Sequence, residues 1–307
     1  IVGTVLLAAA IALSVAQALL PEASFAGYCT GAAFACAGLG ILAVVLPCLD
    51  PAWLAAAPGE GLPAADVRSY LRLLPVLFTA NLAFSVLYNS MQFWYQQQAC
   101  QMDLRVPFST TGSQFSGSFF MIADCLGIVV ATPLAVDWLN PLLEKELGGR
   151  FGHGAKFGLG MSFGALSVFV ATRFEMLRRA APVLGLASNC APSGVSMSAF
   201  GSVWMALPYF LMGMGEIYTQ PVLMHFAYRH SPPSMRTLAA ATGLVIGAVS
   251  TSLFTVQVAA LSSYVPNDLN HGHLEYGYVS NILLGAGLYA AYLGALRRFE
   301  EQQVLGH

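Results

Sequence analysis

Eight stretches of this chain are each long and apolar enough to cross a lipid bilayer as a helix, and that feature excludes nearly every water-soluble architecture. A spanning helix needs about 20 mostly apolar residues rising ~1.5 Å each, because backbone groups inside lipid must satisfy one another. By that criterion the spans run approximately from Ile1 to Leu20, Phe25 to Leu46, Leu74 to Tyr95 and Phe115 to Ala135, then from Phe157 to Phe174, Val203 to Phe226, Leu238 to Leu261 and Tyr278 to Leu296. Charge is correspondingly scarce: Asp, Glu, Lys and Arg make up 9% of the 307 residues, against ~25% in soluble domains. So large an apolar surface does not stay dispersed in water. The expected fold is all-α, a polytopic membrane helix bundle.

Several function classes drop out. The formal net charge is −2, so no basic field exists to attract nucleic acid. The sequence holds no phosphate-cradling glycine loop, no paired nucleophile and base and no metal-ligand cluster, so neither an enzyme nor a cofactor is expected. His271-Gly-His273 is a lone pair in an aqueous loop and is read as incidental rather than metal-binding. The six cysteines form no C-x-x-C pair and lie mostly in or beside apolar runs, where a thiol behaves as a small hydrophobe; no disulfide framework is expected. Ile1 opens an apolar run with no charged region before it, which argues against a signal peptide and for a fragment that begins inside a larger protein.

One connection differs in composition. From Cys48 to Tyr70 the chain carries Pro51, Pro58 and Pro63 among charged residues, and it reads as a linker dividing the spans two plus six. With that linker on the cytoplasmic side, nine of the 13 Lys and Arg fall on that side and four on the other, as the positive-inside rule requires.

Two acids stand inside spans. Asp124 and Glu216 lie near the bilayer midplane, where an unpaired charge costs ~2.5 to 3.5 kcal/mol on insertion scales. Each is read as the wall of a cavity meeting a cation or a proton, the alternative being a protonated acid hydrogen-bonded between helices. No Lys, Arg or His sits mid-span, so the compensating charge comes from a substrate, a proton or chain outside this sequence. Tyr88, Gln92 and Tyr95 follow at i, i+4 and i+7 and are expected on one face. Trp94 and Tyr95 are assigned to an interfacial aromatic belt, and Tyr88, lying deeper, to a pocket. Gly160 with Gly164, and Gly243 with Gly247, are G-x-x-x-G pairs expected to let helices approach closely.

Four stretches resemble the proton-dependent oligopeptide transporter family of the major facilitator superfamily, including its plant nitrate/peptide branch. Gly213-Met-Gly-Glu-Ile-Tyr-Thr219 running into Tyr228-Arg-His-Ser-Pro-Pro-Ser-Met-Arg-Thr237 looks like the family's G-x-G-E-x-x-T and Y-x-x-x-P-x-S-M-R-S segments. Pro266 to Tyr276 is similar to P-x-x-L-N-x-G-H-L-D-Y, and Gln98-Ala-Cys-Gln-Met-Asp103 to Q-A-x-x-M-D. Lys156 to Gly160 and Glu175 to Arg179 look like R-I-G-x-G and E-x-x-R-R.

The resemblance implies eight of twelve transmembrane helices. Residues 1–47 would be helices five and six of the N-terminal bundle, 48–72 a cytoplasmic linker, 73–299 the six-helix C-terminal bundle and 300–307 a cytoplasmic tail. It also implies a multi-pass membrane protein, of the plasma membrane with an endomembrane as the alternative, that symports di- or tripeptides with protons by alternating access. Nitrate or another small solute as cargo, and a non-transporting sensor or inactive fragment, stand as alternatives. The implied substrate-binding residues are Tyr88, Gln92, Asp124 and Glu216, with Asp124 and Glu216 as candidates for proton coupling. Glu216 matches the family's amine-binding Glu, and Asp124 stands at a position many members fill with Asn. Ser90 replaces a family Gln, and His225 a family Glu.

Overall fold

The computed structural model describes residues 2–19, 23–48, 63–107, 112–148, 151–192 and 195–305. Most of the Pro-rich stretch expected as a linker, 49–62, lies outside the described residues. The chain divides into two compact units, Ile1–Val67 and Arg68–His307.

The first unit is a helical hairpin of α1 (Val2–Leu19) and α2 (Ala23–Cys48), packed along their length. Its close approach is at Gly40, where a Cβ would lie 3.1 Å from the carbonyl oxygen of Gly3 and 3.0 Å from Leu7.

The second unit is built on α3 (Ala64–Asn89), which continues without interruption through a π-helical segment, Ser90–Tyr95, into α4 (Gln96–Cys100). Leu73, Val76, Leu77, Ala80, Phe84 and Leu87 are buried at helical spacing, one stripe facing the bundle interior. Next come α5 (Ile122–Pro133), a second π-segment (Leu134–Leu139) and α6 (Asn140–Leu147), forming one long rod. The remaining helices are α7 (His153–Ala180), α8 (Ala206–His230), α9 (Arg236–Ala260) and α10 (Leu274–Leu305). A helix occupies each of the eight expected places. Five rods among the described residues are long and apolar enough to cross a membrane: Ala65–Cys100, Phe119–Leu147, His153–Ala180, Pro233–Ala260 and Leu274–Gln302. Helix α8 is more polar, with Glu216, Tyr218, Thr219 and Gln220 in succession about Ile217, and it packs most extensively against α5 and α7. Large apolar side chains such as Val129, Leu244 and Leu283 point outward, as they do where the solvent is hydrocarbon.

Helix α8 meets its neighbours through glycine. A Cβ on Gly160 would lie 2.8 Å from the carbonyl oxygen of Gly215, and one on Gly127 2.5 Å from that of Phe210. Such contacts leave no room for a side chain. The Gly160/Gly164 pair thus behaves as its spacing predicts. The Gly243/Gly247 pair does not: Gly247 faces open space and the nearest atom to a Cβ on Gly243 is Asn81 Oδ1 at 3.8 Å.

The end of the second unit that holds α4 is a polar clamp assembled from the family-like stretches. Gln101 Nε2 donates to the carbonyl of Asn267 (2.8 Å), while its Oε1 accepts from the amide of Leu269 (2.8 Å). Arg178 is wholly buried; it donates to both oxygens of Glu175, also wholly buried, and to Asn270 Oδ1 and the Leu269 carbonyl, each at 2.8 Å. A short antiparallel pair, β1 (Val183–Ala187) with β2 (Ser196–Ser198), covers this end. With two isolated β-bridges, Asp103 with Gly201 and Arg105 with Gln114, it makes up the β structure among the described residues.

Two expectations are corrected here. Cys100 and Cys190, 90 residues apart, form a disulfide, which spacing along the chain did not suggest because only folding brings α4 beside the loop between β1 and β2. That end is the one the count of basic residues assigns to the non-cytoplasmic side, where disulfides persist. Trp94 and Tyr95 are no interfacial belt: they are 2% and 0% exposed, and the Tyr95 hydroxyl bonds Ser167 at 2.8 Å. The cause is the π-segment, whose wider turn shifts the helix phase and swings Tyr95 into the core while Gln92 stays exposed.

Candidate functional site

The π-segment also decides which polar residues of this rod face the site. Tyr88, in the last turn of α3, and Gln92, four residues on, still share a face, and Tyr88 interacts with Gln92 on one side and with Glu216 of α8 on the other. Asp124 lies in the first turn of α5, where the helix dipole favours a negative group. It is 7% exposed, its Oδ1 is buried without a hydrogen-bond partner, and it lies within electrostatic range of Glu216, Tyr88 and Tyr209. Gly213 makes this possible. A Cβ there would collide with the Asp124 carbonyl and lie 3.0 Å from Oδ1, so only glycine lets α5 bring the carboxyl group against α8.

Three of the four residues expected from the sequence, Tyr88, Asp124 and Glu216, therefore come within electrostatic range of one another, while Gln92, exposed on the π-segment, is linked to them only through Tyr88. Two carboxylates and one phenol share a region of low dielectric, with no Lys or Arg among the groups that act on them. Charges in such surroundings interact far more strongly than in water. The arrangement suits a ligand or proton that brings positive charge.

Glu216 lines a cavity of about 530 Å3 that runs along α8 between the α5–α6 rod and the start of α7. At its far end stand His153, Lys156 and His225, the His153 and His225 rings 5.5 Å apart. Tyr218, 4% exposed, and Asn140 line the same cavity, and the Tyr218 hydroxyl and Asn140 Oδ1 are buried without partners. A second cavity, about 430 Å3, adjoins the disulfide and is walled by Gln92, Gln96, Gln97 and Gln101 with Phe93 and Phe254.

Tyr209, Tyr218, Asn140, His153 and Lys156 were not singled out from the sequence as site residues. Three of them lie at span ends, where a polar residue is ordinary, and only tertiary packing turns them toward one cavity. The loop histidines remain outside any site: the His271 side chain is 85% exposed, and His273 Nδ1 lies 2.9 Å from Glu275. No cluster of three or more His, Cys, Asp or Glu suited to a metal occurs among the described residues.

A family model described as POT family matches residues 63–274. Among curated proteins, NRT1/PTR FAMILY 8.5 of Arabidopsis thaliana is 27% identical over 231 residues, which cover 72% of this chain and 36% of that protein. NRT1/PTR FAMILY 8.3 of the same plant is 24% identical, covering 78% of this chain and 41% of its own length. The chain thus spans less than half the length of these relatives. Among solved structures, the POT family transporter PepTSo superposes with a TM-score of 0.60 at 20% identity, over 98% of this chain and 55% of that one. An auto-inhibited POT family peptide transporter gives 0.62 at 20% identity, over 96% and 53%. At this identity the structures share the fold alone, a bundle of long apolar helices.

Proposed function

The chain belongs to the POT family, and from that premise we propose that it forms the C-terminal two thirds of a secondary active transporter that symports di- and tripeptides with protons. Residues 1–47 are then the last two helices of the N-terminal bundle, 48–72 the cytoplasmic linker, 73–299 the C-terminal bundle and 300–307 the tail. The plasma membrane is the expected location. Transport proceeds by alternating access, two bundles rocking about a site near the midplane.

The observation that supports this reading is the approach of Tyr88, Asp124 and Glu216, two acids unmatched by a base, with Glu216 opening on a cavity. Glu216 receives the amino terminus of the peptide, since a buried carboxylate and an ammonium form a charge-assisted hydrogen bond. Tyr88 orients that carboxylate, and Gln92 steadies Tyr88. Proton coupling follows if the same acids take up a proton in one step and the ammonium in another, because two ligands competing for one group have linked affinities. Asp124, buried and unpartnered at Oδ1, is the second acid available for that exchange.

The test is uptake of a labelled dipeptide by the gene product at its natural length, at acidic and at neutral external pH, with nitrate as competitor. Acid-stimulated uptake indifferent to nitrate supports peptide symport. Uptake abolished by nitrate moves the cargo to a small anion, and no uptake of either solute refutes the reading.

A further inference from the structure

We propose that the cavity beside the Cys100–Cys190 disulfide is a second solute site, built for an uncharged polyhydroxylated ring such as a sugar or glycoside. It shares no lining residue with the Glu216 cavity, so the inference stands whether or not the peptide reading does. Four observations carry it.

The first is charge. The cavity, about 430 Å3, falls within the range of small-molecule pockets, roughly 300 to 1,000 Å3. No Asp, Glu, Lys, Arg or His stands among the described residues that line it. A carboxylate or ammonium entering here gives up hydration without meeting an opposite charge, so the walls favour a neutral occupant.

The second is hydrogen-bonding capacity. Gln98 and Gln101 are buried and engaged at both amide atoms: Gln98 donates to the Ala171 carbonyl at 3.1 Å and accepts from the Tyr278 hydroxyl at 2.7 Å, while Gln101 bridges Asn267 and Leu269. Gln96 and Gln97, on the same helix, are exposed and make no side-chain hydrogen bond to another described residue. With Gln92 they line the cavity. Each amide offers donors and an acceptor, and a sugar hydroxyl, which both donates and accepts, uses both.

The third is an aromatic floor. Phe93 and Phe254 stack with centroids 5.0 Å apart and planes at 20°, and Phe254 rests on Trp94 at 4.7 Å. Trp94 is fixed in turn edge-on to Tyr278 and over Gly277, where a Cβ would lie 2.5 Å from the indole. Phe93, 42% exposed, lines the cavity. The negative face of such a ring suits the C–H side of a sugar ring.

The fourth is rigidity. One wall is Cys190, Ala191 and Pro192, tied to α4 by the disulfide. Ser188 Oγ accepts from the amides of Cys190 and Ala191, each at 3.2 Å, and Gln114 Oε1 accepts from that of Asn189 at 2.9 Å. A wall fixed before the ligand arrives lowers the entropic cost of binding. Gln92, Phe93 and Trp94 lie on the π-segment, a distortion that recurs at functional sites.

The experiment uses the gene product at its natural length in phosphatidylcholine nanodiscs, so that no sugar-headed detergent competes. Calorimetric titration compares three solutes that share a phenyl ring: phenyl β-glucoside, phenyl β-glucuronide, which carries a carboxylate in place of the hydroxymethyl group, and N-acetylphenylalanine amide, a neutral amide without hydroxyls. The wild type is expected to bind the glucoside at least about tenfold more tightly than either of the others, and these comparisons decide the ligand class without any variant. In Gln96→Leu/Gln97→Leu, at two exposed positions, glucoside affinity should fall by about tenfold or more through the loss of two side-chain hydrogen bonds, with the thermal unfolding midpoint unchanged. No binding of the glucoside by the wild type, equal or tighter binding of the glucuronide or of the amide, or undiminished glucoside affinity in the double variant overturns the proposal.

Discussion

Glu175 and Arg178 sit one turn apart on α7 with both side chains wholly buried, joined by two hydrogen bonds of 2.8 Å, and Arg178 reaches on to Asn270 and Leu269. Removing the carboxylate in Glu175→Leu strands a guanidinium in the interior, a change that costs about 3 to 5 kcal/mol. At roughly 2 to 4 °C per kcal/mol for a domain of this size, the midpoint of thermal unfolding in detergent should fall by about 6 to 20 °C. Arg178→Met strands the carboxylate and should cost as much. The double variant strands neither charge; it leaves only the Leu269 carbonyl and Asn270 Oδ1 short of a donor, about 1 to 3 kcal/mol. It should therefore be more stable than the sum of the singles by several kcal/mol, and close to or better than either single alone. Additive losses across the cycle, or a Glu175→Leu variant as stable as the parent, would refute the claim that burial of one unmatched charge sets the magnitude.

Other perturbations probe other parts of the account. Gly213→Ala drives a methyl group into the Asp124 carbonyl and should cost about 1 to 3 kcal/mol by overpacking, whereas Gly247→Ala, facing open space, should be neutral or slightly stabilising; thermal unfolding of both variants in one detergent checks the contrast. Cys100→Ser opens a disulfide across 90 residues and should lower stability by about 2 to 5 kcal/mol, seen as an unfolding midpoint that no longer responds to reductant. In the loop after α4, hydrogen bonds from Arg105 hold the Asp103 carboxyl below its usual range. Because the folded value is the lower one, that contact stabilises the loop fully above about pH 4 and is lost as pH falls through the folded value. Amide exchange across residues 103–107 should accelerate over that acidic window and not near neutrality; acceleration near neutral pH would contradict the assignment.

The sequence makes the bundle legible because lipid imposes one rule on every span, and because the buried stripe of α3 repeats at helical spacing from Leu73 to Leu87. Asp124 and Glu216 were visible for the same reason, as acids where hydrocarbon tolerates none without purpose. What stayed hidden depends on phase and on proximity. The π-segment at Ser90–Tyr95 moved Tyr95 off the face it would share with Tyr88 and Gln92 in an unbroken α-helix. Gly160/Gly164 and Gly243/Gly247 carry the same pattern, yet only the first pair meets another backbone, a difference set by which helix lies opposite. Cys100 with Cys190, and Asn140 with His153, Lys156 and His225, come together only when residues far apart in the chain are folded against one another.

The central claim is that Glu216 holds the amino end of a transported peptide. The most direct measurement compares acid-stimulated uptake of a labelled dipeptide by the wild-type gene product at its natural length and by Glu216→Gln, at matched surface expression. Replacing a charge-assisted contact by a neutral one should lower uptake at subsaturating peptide by at least about tenfold, while an N-acetylated dipeptide, lacking the ammonium, should lose its ability to compete with the wild type. Undiminished uptake by Glu216→Gln, or full competition by the N-acetylated peptide, would contradict it.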